Sequence, residues 1–83
     1  MNFAVYSKAG CPYCEKIKKV LTLTNLKYVV YNLGEHFDKK SFYEEFGEGS
    51  TFPQVVVDGQ KLGGCIDSIK FLQEKKVINV WDK

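Results

Sequence analysis

The sequence contains few cysteines, and their number is odd. With three cysteines in 83 residues, it lacks the even-numbered set that builds the disulfide framework of small secreted proteins. Three cysteines are also too few for a four-thiolate zinc or iron–sulfur site, and the single histidine, His36, is expected to be a solvated loop residue. We therefore expect no metal centre, and a cytoplasmic location, since a reducing compartment suits free thiols.

The sequence also lacks a strong excess of charge of one sign and lacks long apolar runs. Its formal net charge is +2 with acidic and basic residues interspersed, so no basic stripe for nucleic acid is present. The apolar runs at 28–31 and 55–57 are far shorter than the roughly 20 residues that span a bilayer. No charged region precedes a hydrophobic one at the N-terminus. We expect neither nucleic acid nor a membrane as a partner.

Hydrophobic periodicity predicts seven elements in a single domain over residues 1–83, which we expect to be a monomer. The expected order is a strand at 3–6, a helix from Pro12 to the break at Asn25, a strand at 28–33, a helix capped by Asp38 and ended at 47–50, strands at 54–57 and 60–62, and a helix after 63–64. The strand at 28–33 is expected to be covered on both faces. The tail at 77–83 has no clear pattern, and Trp81 is expected to pack back on the domain.

This order predicts a mixed sheet. The first strand-helix-strand crossover makes a parallel pair, and the Asp58-Gly59 dipeptide predicts an antiparallel hairpin.

Cys11 and Cys14 lie at the predicted junction between the first strand and the first helix. The unsatisfied N–H groups and the dipole of a helix N-terminus favour a thiolate, which lowers the pKa of Cys11, and Lys8 just upstream adds to this effect. A thiolate is both a nucleophile and a good leaving group, and Cys14 is within reach to resolve an intermediate. The position predicts thiol–disulfide exchange, with Cys11 attacking and Cys14 resolving, more readily than two merely buried small side chains.

Three motifs in this order and spacing resemble the glutaredoxin family over nearly the whole chain. They are Cys11-Pro12-Tyr13-Cys14, Thr51-Phe52-Pro53 and Gly63-Gly64-Cys65-Ile66-Asp67. The resemblance implies an α/β thioredoxin fold with a four-stranded mixed sheet and three helices (βαβαββα). It also implies glutathione-dependent reduction of protein disulfides and glutathione mixed disulfides. Glutathione is then the reducing co-substrate, no cofactor is permanently bound, and disulfide-containing proteins are the partners, with ribonucleotide reductase a candidate client.

The resemblance further implies a glutathione-binding groove beside Cys11. The expected binding residues are Lys8, Tyr13, Thr51, Phe52, Pro53, Gly64, Cys65 and Asp67. In the family, the peptide bond before the proline that matches Pro53 is cis, and the backbone at the position of Phe52 pairs with the cysteinyl part of glutathione. The alternative is a trans proline that only begins a strand.

The resemblance assigns both ends of glutathione to this groove. Amides of Gly64 and Cys65 at a helix start receive the γ-glutamyl carboxylate, Asp67 receives the ammonium, and Lys8 meets the glycine carboxylate. Simpler alternatives are that Asp67 only caps the helix, that Lys8 is a solvated surface charge, and that Tyr13 packs on the surface instead of bordering the groove.

The sequence departs from the family pattern at three positions. Phe52 stands where valine is usual, Ile66 where a hydroxyl or carboxylate is common, and Ser50 where arginine or lysine often precedes the threonine. We therefore expect Lys8 to hold the glycine carboxylate without a second cation.

Two rival functions remain open at this point. One is a glutaredoxin-like thioredoxin reduced by a thioredoxin reductase, against which Lys8 and Asp67 count. The other is a non-catalytic iron–sulfur cluster carrier, against which Pro12 counts, because cluster-binding members of the family usually lack this proline.

Overall fold

The computed structural model describes residues 2–75, and its elements follow the predicted order. They are β1 (Asn2–Ser7), α1 (Pro12–Leu23), β2 (Lys27–Asn32), α2 (Lys39–Phe46), β3 (Gln54–Val57), β4 (Gln60–Gly63) and α3 (Cys65–Glu74). The prediction of a βαβαββα arrangement is confirmed. The unassigned tail, with the packing expected for Trp81, lies outside the described residues. No helix within 2–75 is long and apolar enough to cross a membrane.

The four strands form one mixed sheet in the order β2-β1-β3-β4. β1 is parallel to β2 and antiparallel to β3, and β3 continues into β4 through a tight hairpin. Asp58 and Gly59 in the hairpin turn have φ values of 48° and 85°, the left-handed conformation that a two-residue turn of this kind requires at both positions. Because β1 pairs with a strand on each side, it is a central strand of the sheet. Its C-terminal end leads into the loop that carries the cysteine motif.

The main core lies between the sheet and the helices α1 and α3. Alternate residues of β1 point toward these helices, so that Phe3 and Val5 are buried while Ala4 is not. The buried apolar cluster comprises Phe3, Val5, Ile17, Val20, Leu21, Val55, Val57, Cys65, Ile69 and Leu72. Burying one such aliphatic or aromatic side chain stabilises the fold by about 1.5–3 kcal/mol. This cluster holds α1 and α3 against the same face of the sheet.

The other face of the sheet packs against α2 through an aromatic cluster. The ring centroid of Tyr6 lies 5.2 Å from that of Tyr31, 5.4 Å from that of Phe37 and 5.0 Å from that of Phe46. α2 begins where predicted, because the side chain of Asp38 accepts a hydrogen bond from the Ser41 amide at 2.8 Å. The ring contact between Phe46 and Tyr6 places α2 beside the end of β1 that leads into the cysteine motif.

The expectation that the second strand is covered on both faces is wrong. Within residues 2–75, β2 is an edge strand with β1 as its only partner in the sheet, and Val29 is 50% exposed. α2 has only eight residues. Its Phe46 ring contacts Tyr6 of β1, and Tyr6 in turn contacts Tyr31 of β2, so α2 covers this face of the sheet only near one end of β2. A run of apolar residues therefore marks β2 as a strand without showing how much of it is covered.

Candidate active site

The loop between β1 and α1 places Cys11 at the N-cap of the helix. Cys11 has an extended backbone, Pro12 occupies the first helical turn, and the Cys11 sulfur accepts a hydrogen bond from the Cys14 amide at 3.2 Å. Gly10 has a φ of 69°, a conformation that glycine adopts without the steric cost of a Cβ. The sulfur of Cys11 therefore takes the capping position, where a helix N-terminus stabilises negative charge.

Cys11 and Cys14 form a disulfide, with their Cα atoms 5.2 Å apart. Cys11 is 6% exposed, whereas Cys14 is fully buried under the first turn of α1. Of the two residues, Cys11 is thus the one that a substrate sulfur reaches from solvent. This difference in access matches the roles of attacking and resolving thiol that the sequence predicts.

The Thr51-Phe52-Pro53 segment leads into β3, which pairs with β1 in the sheet. The Phe52–Pro53 peptide bond is cis, as the resemblance implies, and the Gln54 side chain donates a hydrogen bond to the Thr51 carbonyl at 2.9 Å. Within residues 2–75, the backbone N–H and carbonyl of Phe52 take part in no backbone hydrogen bond. They are therefore available to an extended peptide ligand, in the manner of an added strand.

The start of α3 supplies a third segment. Gly64 is the N-cap of α3 and has no side chain that could cap the helix. The preceding residue, Gly63, has a φ of 106°. A Cβ on Gly63 would lie only 2.6 Å from Oδ2 of Asp67, so the carboxylate sits directly against this glycine. Within the described residues, no side chain makes a capping hydrogen bond at the start of α3, so the alternative that Asp67 only caps this helix has no hydrogen bond to support it. The exposed carboxylate is left available to a cation from solution.

A cavity of about 260 Å³ joins all three segments. Its lining comprises Tyr13, Thr51, Phe52, Pro53, Gly64, Cys65, Ile66 and Asp67. All the residues of the predicted glutathione set except Lys8 thus surround one space. Tyr13, which is 56% exposed, borders this cavity. Ile66 adds an apolar wall that the sequence prediction treated only as a lost hydrogen bond.

Lys8 lines a second cavity, of about 540 Å³, that shares Thr51 and Phe52 with the first. The other lining residues are Ala9, Leu33, Lys39, Tyr43 and Ser50. Lys39, the first residue of α2, therefore supplies a second cation, which corrects the expectation that Lys8 stands alone. Sequence reasoning missed Lys39 because it lies twelve positions before Thr51, and only the packing of α2 on the sheet brings the two together.

The third cysteine, Cys65, is buried at the first position of α3. Burial raises the pKa of its thiol, and the positive charge of Lys16 opposes this only in part. Cys65 therefore remains a protonated thiol at neutral pH, and it lines the 260 Å³ cavity.

A further cavity, of about 610 Å³, lies at the opposite end of the sheet. Asn2, Lys27, Asp58 and Gly59 border it, and no residue of the three motifs does. Its size alone gives no reason to assign chemistry to it.

Comparison with known proteins places these features in a family. The family model for Glutaredoxin matches residues 3–62. Among curated proteins, the chain is similar to Glutaredoxin 1 of Rickettsia prowazekii, with 36% identity over 76 residues, 88% of this chain and 79% of that protein. It is also similar to Glutaredoxin-C4 of Arabidopsis thaliana, with 41% identity over 72 residues, 82% of this chain and 53% of the other.

Among solved structures, the chain is similar to the buckwheat glutaredoxin–glutathione complex, with a TM-score of 0.76 and 25% identity. The match covers 93% of this chain and 73% of the buckwheat chain. Glutaredoxin 1 from Francisella tularensis, complexed with cacodylate, has a TM-score of 0.75 at 23% identity, covering 95% and 98% of the two chains. The second likeness supports the fold alone.

Proposed function

The chain belongs to the glutaredoxin family of thiol–disulfide oxidoreductases, and we propose that Cys11 and Cys14 are its redox-active pair, with glutathione as the reductant. The observation that carries this proposal is the placement of Cys11 at the N-cap of α1, two residues before Tyr13, which lines one cavity together with residues of the two other motifs. The glutathione complex of the buckwheat relative supports glutathione as the ligand of that cavity.

Removal of glutathione from a mixed disulfide needs Cys11 alone. The Cys11 thiolate attacks the glutathione sulfur, the bond between glutathione and substrate breaks, and the substrate leaves as a thiolate that takes a proton from water. A second glutathione thiolate then attacks the glutathione sulfur held on Cys11. Glutathione disulfide leaves and the Cys11 thiolate is restored. Each turnover therefore consumes one reduced glutathione, because the other half of the glutathione disulfide comes from the substrate.

Reduction of a protein disulfide uses both cysteines. Cys11 attacks one sulfur of the substrate and forms a mixed disulfide, which Cys14 then breaks by attacking Cys11. The substrate leaves with two thiols and the protein is left with a Cys11–Cys14 disulfide, the form present in this structure. Two glutathione molecules in succession reduce that bond again.

Glutathione is proposed to lie across both cavities. Its γ-glutamyl carboxylate meets the amides of Gly64 and Cys65 at the start of α3, where a helix N-terminus favours an anion. Asp67 accepts the ammonium, and the Phe52 backbone pairs with the cysteinyl residue. The glycine carboxylate then extends toward the second cavity, with its two lysines.

The proposed setting is a reducing compartment, the cytoplasm, because the catalytic cycle needs a pool of reduced glutathione. The proposed substrates are disulfide-containing proteins, with ribonucleotide reductase a candidate client, acted on by a monomer without a permanently bound cofactor.

The decisive experiment compares two electron sources on one small glutathione mixed disulfide. We expect turnover with glutathione plus glutathione reductase, and none above background with thioredoxin reductase and NADPH. The reverse result would show a glutaredoxin-like thioredoxin and would refute the role assigned to the cavity.

A further inference from the structure

The side chain of Phe52 lies between the two cavities and is fixed in place by α2. It lines both cavities, and its ring stacks on that of Phe42 with centroids 4.2 Å apart and planes 12° apart. Phe42 is itself buried in α2 and contacts Phe46, with centroids 5.0 Å apart. The Phe52 ring is therefore a rigid wall that continues the aromatic cluster into the active site.

The Phe52 ring, which also stacks with Phe37 at a centroid distance of 6.2 Å, lies under the ammonium of Lys8. The Lys8 Nζ atom lies 5.3 Å from the Phe52 ring centroid, within the roughly 6 Å over which an aromatic face attracts a cation. Among the described residues, Lys8 forms no ion pair. The ring thus restrains the long side chain of Lys8 without presenting a carboxylate that a ligand anion would have to displace.

We propose that Phe52 is a positioning residue that holds the Lys8 ammonium at the border of the 540 Å³ cavity, ready for a ligand carboxylate. Lys39 lines the same cavity, and none of its lining residues is acidic. Restraining Lys8 in advance lowers the conformational entropy that is lost when a carboxylate binds. Valine, the residue usual at this position in the family, has no aromatic face and does not provide this restraint.

This inference rests on the proposed function only for the identity of the ligand, the glycine carboxylate of glutathione. The contact itself is a property of the free protein. It can therefore be tested by two independent measurements, one of the Lys8 side chain and one of catalysis.

The first measurement follows the ε-methylene protons of Lys8 by NMR. We expect an upfield ring-current shift in the wild-type protein and in Phe52→Tyr, which keeps the aromatic face, and loss of that shift in Phe52→Leu, which keeps an apolar side chain. A Lys8 shift that is the same in wild type and Phe52→Leu would overturn the positioning role, whatever the activity.

The second measurement separates KM from kcat. We expect Phe52→Leu to raise KM for glutathione about two- to fivefold, the size of one partly exposed cation–π contact, with kcat little changed and with wild-type KM in Phe52→Tyr. Lys8→Ala should raise KM in the wild-type background and by less in Phe52→Leu. With glutathione ethyl ester, which lacks the glycine carboxylate, Phe52→Leu and wild type should have the same KM, measured from the thiol released.

Phe46→Leu is the matched control. The Phe46 ring contacts Phe42 and carries Lys61, whose Nζ lies 5.4 Å from the centroid, but it does not line either active-site cavity. A KM increase shared by both leucine variants, or an undiminished Lys8→Ala effect in Phe52→Leu, would overturn the inference. Absence of glutathione-dependent turnover in the wild-type protein would instead refute the proposed function, while the Lys8 shift would still decide the contact.

Discussion

At the scale of single residues, Cys11 and Cys14 differ in the surroundings that the fold gives them. Cys11 caps α1 and keeps a small exposed surface, whereas Cys14 is fully buried in the first turn of the helix. A helix N-terminus acts most strongly within the first turn, so its stabilisation of negative charge falls mainly on Cys11. The two thiols are therefore expected to be needed for different reactions.

Replacing each cysteine by serine tests that division of roles. We expect Cys11→Ser to abolish every reduction. We expect Cys14→Ser to keep most of the removal of glutathione from mixed disulfides and to lose most of the reduction of protein disulfides, because only the latter needs a resolving thiol. Both activities are measured with glutathione and glutathione reductase. Cys65→Ser should preserve both, and an equal loss of the two activities in Cys14→Ser would contradict the assignment.

Asp67 is expected to bind the ammonium of glutathione. Asp67→Asn removes a charge-assisted contact of about 1.5–3 kcal/mol, so KM for glutathione should rise roughly tenfold or more. Because α3 has no side-chain cap hydrogen bond, the melting temperature should change little in Asp67→Asn and in Asp67→Ala alike. Steady-state kinetics and thermal unfolding measure the two effects.

Glu74→Gln is the matched control for Asp67. It removes one negative charge from the exposed, opposite end of α3. An equal KM increase in this variant would show a general charge effect, and an unchanged KM in Asp67→Asn would leave the γ-glutamyl end to the backbone of Gly64 and Cys65.

At the scale of elements, α2 has two functions that depend on where it begins. It completes the aromatic cluster over Tyr6, and it brings Lys39 to the cavity that also holds Lys8. Its start is set by Asp38, whose hydrogen bond from the Ser41 amide lowers the pKa of the Asp38 carboxyl below its ordinary value. The stability of α2 and the position of the second lysine are thus linked to one cap.

The effect of this cap should depend on pH. A carboxyl whose pKa is lower in the folded than in the unfolded state stabilises the fold above its unfolded pKa and loses that contribution as the pH falls through its folded pKa. Asp38→Ala should therefore be less stable than wild type at neutral pH, and the difference should diminish in strong acid. Denaturant unfolding at a series of pH values measures it.

Asp38→Asn is the control for the cap, because asparagine caps helices nearly as well without titrating. Its stability relative to Asp38→Ala should stay the same across the acid range. If the difference between wild type and Asp38→Ala did not change with pH, the charge of Asp38 would have no part in the cap.

Features that depend on adjacent residues were predictable from the sequence, and those that depend on packing between elements were not. Pro12, Asp38 and the Asp58-Gly59 turn locate two helix starts and a hairpin because each acts on its own backbone. The exposure of Val29 and the placement of Lys39 follow from how far α2 extends over the sheet. The grouping of three motifs around one cavity was expected only from the family resemblance, since their spacing in sequence does not place them together.

At the scale of the whole molecule, the core between the sheet and the helices α1 and α3 maintains the site. Leu72 is fully buried in that core, and Leu72→Ala is expected to cost about 2–5 kcal/mol of unfolding free energy. Domains of this size have only about 5–15 kcal/mol in total. Urea unfolding measures the loss. Leu23→Ala, at an exposed position of α1, should change stability by no more than about 0.5 kcal/mol, and equal losses would contradict the assigned core.

The central position of β1 has a consequence for the order in which the chain folds. β1 reaches β2 through a local crossover, but it pairs with β3 only when Phe3 meets Val57, far along the chain. Long-range pairing of this kind costs loop-closure entropy before it gains contacts, which delays it. We therefore expect the cysteine motif to form before Pro53 and Asp67 pack near it. Pulsed alkylation of Cys11 during refolding, compared with the time at which glutathione binding begins, would measure this order. During folding, Cys11 would then become reactive before the segments that select glutathione have assembled around it.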